Sequence, residues 1–197
     1  TRFYLLSLAF NWIVDSPSTN IKQIQWHLDD YRKFTNDTAT ISAIKEKYGI
    51  DFSKTNLMAL RGINNEQFDF KSVIENYRGK VVYVDFWASW CAPCRKAMAS
   101  AKKLRSQLSG EDVVFIYIAI NDQMDNWKKA VIQEDTQNGG VNYLVENPKT
   151  SQLIKDLEIQ AIPRYLIFDK NGELAYRNAP GPDNPEIINI LNNLLNP

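Results

Sequence analysis

Residues 83–94 have the sequence YVDFWASWCAPC and hold the only two cysteines of the 197-residue chain. Cys91 and Cys94 stand three positions apart, directly after an apolar run that contains Asp85. Residues 81–88 are otherwise β-branched, aromatic or small, which predicts a strand covered on both faces. The stretch therefore predicts a buried strand that carries one acid and is followed by a dithiol.

The spacing of the two cysteines suits redox chemistry. In the first turn of a helix, thiols at i and i+3 can close a disulfide ring, and unpaired N–H groups with the helix dipole favour an anion at the first of them. We therefore expect a lowered pKa for the Cys91 thiol, which would attack a substrate disulfide as the thiolate. Cys94 would then resolve the mixed disulfide. Pro93, which lacks an N–H, is tolerated in that first turn.

The cysteine pair has two other interpretations. A zinc site needs four ligands, and the chain offers no second cysteine pair and only His27 as a histidine, so ligand count argues against a standard metal site. Two inert buried cysteines remain an alternative, because free cysteine is often an ordinary core residue.

Composition limits the classes of function. The chain has 23 basic and 23 acidic residues and no formal net charge, so nothing in it favours binding to nucleic acid or another polyanion. Hydrophobic residues make up 44% of the chain, enough for a packed core. The length suits one domain with a sizeable addition, or two small domains.

The first 66 residues are predicted to form a helical N-terminal extension. The apolar run 2–15 lacks the pattern of a signal peptide and is too short to span a bilayer, so we expect a mostly buried helix there. Further helical patterns occupy residues 16–34 and 38–49, with a weaker one over 52–62. The sequence leaves open whether a leader or an anchor precedes Thr1.

From residue 67 onward the pattern becomes that of an α/β domain, predicted to span 67–197. A short alternating segment, 67–70, opens it. Strands alternate with helices and a hairpin follows, which predicts a central mixed sheet flanked by helices. The predicted strands are 81–88, 113–120, 141–145, 164–169 and 174–177, and the predicted helices are 91–108, 124–135, 150–159 and 184–195.

Residues 81–94 and the later segment AIPRYLIF (161–168) together resemble the thioredoxin superfamily, in which Trp-Cys-x-x-Cys follows a strand. The resemblance implies a cis-proline opposite the disulfide, matched here by Ile162-Pro163, whose backbone would pair with an extended substrate segment. It also matches Asp85 to a buried aspartate that exchanges a proton with the second cysteine. The alternative is that Asp85 points out of the strand end towards solvent.

The remaining predicted substrate contacts surround the cysteines. Trp90 is expected to shield the thiol and to present an apolar surface to partners, with ordinary packing as its alternative role. Ala92 and Pro93 form the dipeptide between the cysteines.

The insertion over residues 121–160, a helix and a short strand, makes residues 67–197 similar to the TlpA/ResA-like thiol–disulfide oxidoreductases. That resemblance implies a periplasmic or other extracytoplasmic location, a membrane or lipid anchor, and a reducing role. The chain departs from it in two respects. Many members lack an aspartate at the position of Asp85, and members often have a Glu in the CxxC dipeptide or its helix.

These observations predict a thiol–disulfide oxidoreductase that reduces disulfides of exported proteins and needs no cofactor beyond the dithiol. Its partners would be oxidised cysteine-containing proteins and a separate, membrane-bound electron donor. The alternatives are an oxidase or isomerase, and a non-catalytic binding or chaperone-like module. A proline beside Cys94 favours the reducing direction.

Overall fold

The fold is that of a computed structural model, in which residues 58–196 are described. The helices predicted within residues 2–49 lie outside the described residues. Among residues 58–196, no helix has the length and apolar character that a membrane span requires.

Strands and helices alternate through most of the described chain. They are β1 (Ala59–Gly62), β2 (Gln67–Asp69), α1 (Phe70–Glu75), β3 (Val81–Trp87), α2 (Ala92–Gln107), β4 (Val113–Ala119), α3 (Met124–Gln133), β5 (Val141–Val145), α4 (Gln152–Asp156), β6 (Arg164–Phe168), β7 (Leu174–Tyr176) and α5 (Glu186–Leu195).

The strands form one seven-stranded sheet in the order β2-β1-β5-β4-β3-β6-β7. Two pairs of neighbouring strands are parallel, β3 with β4 and β4 with β5, and the other pairs are antiparallel. β3 is flanked by β4 on one side and β6 on the other, and every one of its residues is buried. The predicted mixed sheet flanked by helices is therefore confirmed.

The predicted helix over residues 52–62 is wrong for Ala59–Gly62, which form β1. Burial alternates along these four residues with the period of two that marks a strand. β1 pairs with both β2 and β5, so cross-strand hydrogen bonds hold it extended. The sheet thus begins before residue 67. The division of the chain into residues 1–66 and 67–197 stays a prediction.

Helix α1 was not predicted, although its sequence contains the signals. Asp69 is its N-cap, and the carboxylate accepts a hydrogen bond from the backbone N–H of Ser72 at 2.9 Å. Phe70, Val73 and Ile74 follow at helical spacing and are buried.

The sheet separates two layers of side chains. On one face, Tyr83 and Trp87 of β3 belong to a core cluster with both cysteines and with buried residues of α2, α3 and α5. On the other face, Phe86 stacks on Phe70 of α1 with ring centroids 6.5 Å apart. Because side chains alternate along a strand, Asp85 lies on the face of Tyr83 and Trp87. The acid and the cysteines are therefore on the same side of the sheet.

Candidate active site

The two cysteines lie at the N-terminus of α2. Cys91 is the N-cap, and its Sγ accepts a hydrogen bond from the backbone N–H of Cys94 at 3.3 Å. The two sulfurs are joined as a disulfide with the Cα atoms 5.3 Å apart. Once the disulfide is reduced, the same N–H and the helix N-terminus favour a thiolate on Cys91.

The segment in front of Cys91 is held by the loop that follows β4. The backbone N–H and the hydroxyl of Ser89 donate to the carboxylate of Asp122 at 2.5 and 2.8 Å. That carboxylate also accepts from the N–H of Gln123 at 2.8 Å. The indole N–H of Trp90 donates to the carbonyl of Asn121 at 3.0 Å.

Sequence reasoning missed the part played by Asp122. The signal for it was available, because β3 and β4 are parallel neighbours and their carboxyl ends meet at one edge of the sheet. Polar residues that follow those two strands are therefore expected to meet.

Trp90 is left 62% exposed beside this contact, with the predicted substrate contacts Ala92 and Pro93 also at the surface.

The loop before β6 brings Ile162 and Pro163 to the disulfide. The peptide bond between them is cis, the isomer that the resemblance implies. The carbonyl oxygen of Ile162 lies 3.9 Å from the Sγ of Cys91. Ile162 is partly buried and packs against the core cluster. The backbone of Ile162 thus lies beside the sulfur that would carry the substrate.

Asp85 is buried inside the sheet, so the alternative in which it faces solvent is wrong. The residues opposite it are Tyr117 on β4 and Tyr165 on β6. Within residues 58–196, its Oδ1 atom has no hydrogen-bond partner. Burial raises the pKa of this carboxyl to about 8, because ionisation in a low-dielectric interior is unfavourable. The group is therefore poised to hold or release a proton near neutral pH.

Arg95, the residue after Cys94, forms hydrogen bonds to other side chains. Arg95 donates to Glu134 at 2.6 Å and to Gln133 at 3.0 Å, at the end of α3. Within residues 58–196, no group of three or more histidine, cysteine or acidic side chains is arranged to hold a metal ion.

Comparison with known sequences finds thioredoxin-like proteins. Residues 79–174 match the family model of thioredoxin-like proteins. The thiol–disulfide oxidoreductase ResA of Geobacillus kaustophilus is 23% identical over 101 residues, which are 51% of this chain and 55% of the relative. ResA of Bacillus thuringiensis is 26% identical over 104 residues, covering 53% and 57%. The chain thus spans just over half the length of these curated relatives.

Comparison with solved structures confirms the thioredoxin-like fold. The thioredoxin domain of a thiol–disulfide oxidoreductase from Bacteroides vulgatus superposes with a TM-score of 0.59 at 16% identity, over 72% of this chain and 94% of that one. A thiol–disulfide oxidoreductase from Bacteroides fragilis gives 0.56 at 20%, over 71% and 98%. An exposed lipoprotein thioredoxin of Streptococcus pneumoniae gives 0.53 at 21%, over 71% and 100%.

Proposed function

Because this chain contains a thioredoxin-like domain related to the ResA thiol–disulfide oxidoreductases, we propose that it reduces disulfides of proteins outside the cytoplasm. The observation that carries the proposal is the cysteine pair at the start of α2, with the Ile162 carbonyl 3.9 Å from the Sγ of Cys91. This arrangement offers a nucleophile and a place for a substrate backbone at the same point.

The reaction transfers two electrons from the protein dithiol to the substrate. The Cys91 thiolate attacks one sulfur of the substrate disulfide; a bond to that sulfur forms while the substrate S–S bond breaks. The other substrate sulfur leaves as a thiolate and is protonated. Cys94 then loses its proton and attacks the Sγ of Cys91, which forms the protein disulfide and releases the second substrate thiol.

We assign Asp85 as the group that accepts the proton of Cys94. It lies on the cysteine side of the sheet, and its pKa of about 8 leaves part of the population ionised near neutral pH. An ionised Asp85 can accept the Cys94 proton as the mixed disulfide is resolved. Its burial then retains the proton until the dithiol is regenerated.

Substrate recognition is assigned to the surface around the disulfide. The exposed indole of Trp90 supplies apolar contact, with Ala92 and Pro93 next to it. The backbone of Ile162, held by the cis bond to Pro163, would pair with an extended segment of the substrate. Recognition through backbone groups suits a protein that acts on many cysteine-containing partners.

The location and the electron donor are proposals by analogy. The ResA relatives and the lipoprotein thioredoxin of Streptococcus pneumoniae support an extracytoplasmic site of action. A membrane reductase would then return two electrons to the disulfide after each turnover. The N-terminal extension predicted from the sequence is proposed to be a docking surface or part of a longer N-terminal region.

The direct test is to trap the covalent intermediate. In Cys94→Ser, the reduced protein should form a mixed disulfide with an oxidised protein substrate, insulin, and retain it on a non-reducing gel, because no thiol is left to resolve it. Cys91→Ser is the matched control and should form no adduct. Equal behaviour of the two variants would remove Cys91 as the nucleophile, and unimpaired function of Cys91→Ser would favour the non-catalytic module.

A further inference from the structure

All four carbonyl groups at the C-terminal end of helix α4 accept hydrogen bonds. A helix leaves its last four carbonyl groups, here those of residues 154–157, without partners inside the helix. Two of them are satisfied by the chain that follows. The N–H of Ile159 donates to the carbonyl of Ile154 at 3.0 Å, and that of Glu158 to Lys155 at 2.9 Å, which is the pattern of a Schellman motif.

The other two carbonyls are bound by arginine side chains from distant parts of the chain. Arg177, after β7, donates to the carbonyl of Asp156 at 2.7 Å. Arg164, the first residue of β6, donates to the carbonyl of Leu157 at 3.3 Å. Arg164 also donates twice to the backbone carbonyl of Arg177, at 3.1 and 2.7 Å. One guanidinium therefore joins the end of α4 to the chain beyond β7.

Arg164 and Arg177 are two cations that lie close together in partly buried positions, an arrangement that is electrostatically unfavourable. Arg164 is half-buried, and burial together with the neighbouring Arg177 lowers its pKa. The carboxylate of Glu158 lies 3.7 Å from the guanidinium of Arg177 and opposes part of that repulsion. The carbonyl oxygens at the end of the helix also favour the two cations, because they carry its partial negative charge.

The segment between the two anchored points leads directly to the disulfide. It consists of residues 158–163, bounded by the arginine-bound end of α4 and by Arg164 itself. Glu158 has a φ of 52°, the left-handed conformation that turns the chain out of the helix. Four residues later, the carbonyl of Ile162 lies 3.9 Å from the Sγ of Cys91. A shift of either anchor would be passed to Ile162 through this short segment.

From this arrangement we infer that Arg164 is a positioning residue for substrate docking, with Arg177 as its partner. The two guanidiniums hold residues 158–163 so that the backbone of Ile162 is presented beside Cys91. This inference rests on the proposed function. It assigns Arg164 no contact with substrate or with the sulfur atoms, so the chemistry of the dithiol itself should not depend on it.

The test compares a disulfide that has a polypeptide backbone with one that has none. The full chain is reduced, freed of reductant and mixed with excess oxidised insulin or with 5,5′-dithiobis(2-nitrobenzoate), and the rate at which the Cys91–Cys94 disulfide forms is followed against concentration by acid quenching and alkylation of the remaining thiols of the chain. In Arg164→Met, we expect the ratio of maximal rate to half-saturation concentration for insulin to fall about tenfold. Most of the fall should come from a higher half-saturation concentration, because misplacing a docking group weakens productive binding. For the small disulfide the change should stay within about twofold.

Two further variants complete the design. Arg164→Lys should recover part of the loss with insulin, since an ammonium can still donate to a carbonyl but lacks the rigid planar fork with which a guanidinium binds two acceptors. It also carries the test if Arg164→Met does not fold. Arg61→Met is the matched control: this arginine of β1 bonds to Glu146 and to the carbonyl of Asn65, and its loss should leave both rates unchanged.

The outcomes separate the inference from the proposed function. Equal losses with insulin and with the small disulfide would show a purely structural role for Arg164, and no loss with insulin would remove it from docking. Either result overturns the inference while leaving the oxidoreductase intact. If the unaltered chain reduced neither disulfide, the proposed function would fail and the inference with it.

Discussion

Asp85 occupies the middle of β3, where its carboxyl group is removed from water and one oxygen has no hydrogen-bond partner in the part of the chain that the structure describes. Burial raises its pKa from 3.8 to about 8. Below a pH of about 4, the carboxyl is protonated in both the folded and the unfolded chain, and its burial carries no ionisation penalty. As the pH rises from about 4 to about 8, only the unfolded chain releases the proton, so stability falls across this window.

Replacing this acid should therefore stabilise the protein in a pH-dependent way. For Asp85→Asn in the oxidised form, we expect the free energy of unfolding to rise by about 2 to 5 kcal/mol at pH 8 and to change little at pH 4. Urea unfolding at both pH values measures it. Asp112→Asn, at an exposed position, is the control and should change neither value. A gain of equal size at both pH values would contradict the assigned ionisation.

The same substitution should slow the chemistry. If Asp85 takes the proton of Cys94, Asp85→Asn should lower the rate at which the mixed disulfide is resolved near neutral pH by about 100-fold, the usual scale of general base catalysis. Half-saturation by substrate should change little, because Asp85 is buried. The readout is the pH dependence of single-turnover insulin reduction. A profile identical to that of the unaltered protein would exclude Asp85 from proton transfer.

At the scale of secondary-structure elements, the loop after β4 holds the segment in front of Cys91. The carboxylate of Asp122 joins the loop after β4 to Ser89, two residues before Cys91. In Asp122→Ala the N–H groups of Ser89 and Gln123 lose their acceptor, so the free energy of unfolding should fall by about 1 to 3 kcal/mol. Urea unfolding measures the loss, and Asp125→Ala on α3 serves as the control. An unchanged value would mean that water replaces the carboxylate without penalty.

Most elements after residue 80 follow from the sequence. Their strands are recovered to within one residue and their helices to within three, because long apolar runs and helical spacing leave little ambiguity. β1 and α1 were the failures. Ala59–Gly62 is too short for a period to decide between strand and helix, and its pairing with β5 joins residues more than eighty positions apart. In α1 the cap at Asp69 was overlooked.

The residues of the candidate site also fall into those that the sequence predicts and those that it does not. The cysteines, Asp85 and Ile162-Pro163 were found because a short motif and a family resemblance contain them. Asp122 and Arg164 carry no motif. Their significance depends on which loops the sheet order brings together, a property that spacing along the chain does not encode.

At the scale of the whole molecule, the direction of electron flow is the central question. The fold supports reductants and oxidants alike, with potentials from about −270 to about −120 mV. With equal numbers of basic and acidic residues, the chain has no formal net charge that would favour a charged partner. We expect the direction to be set locally, by how strongly the helix N-terminus stabilises the Cys91 thiolate.

The reduction potential of the Cys91–Cys94 pair, measured by equilibration in glutathione or dithiothreitol buffers, tests this account most directly. The account predicts a value near or below about −250 mV, that of a protein which donates electrons to substrate disulfides. A value between about −180 and about −120 mV would identify an oxidant or isomerase and contradict the proposed reductase.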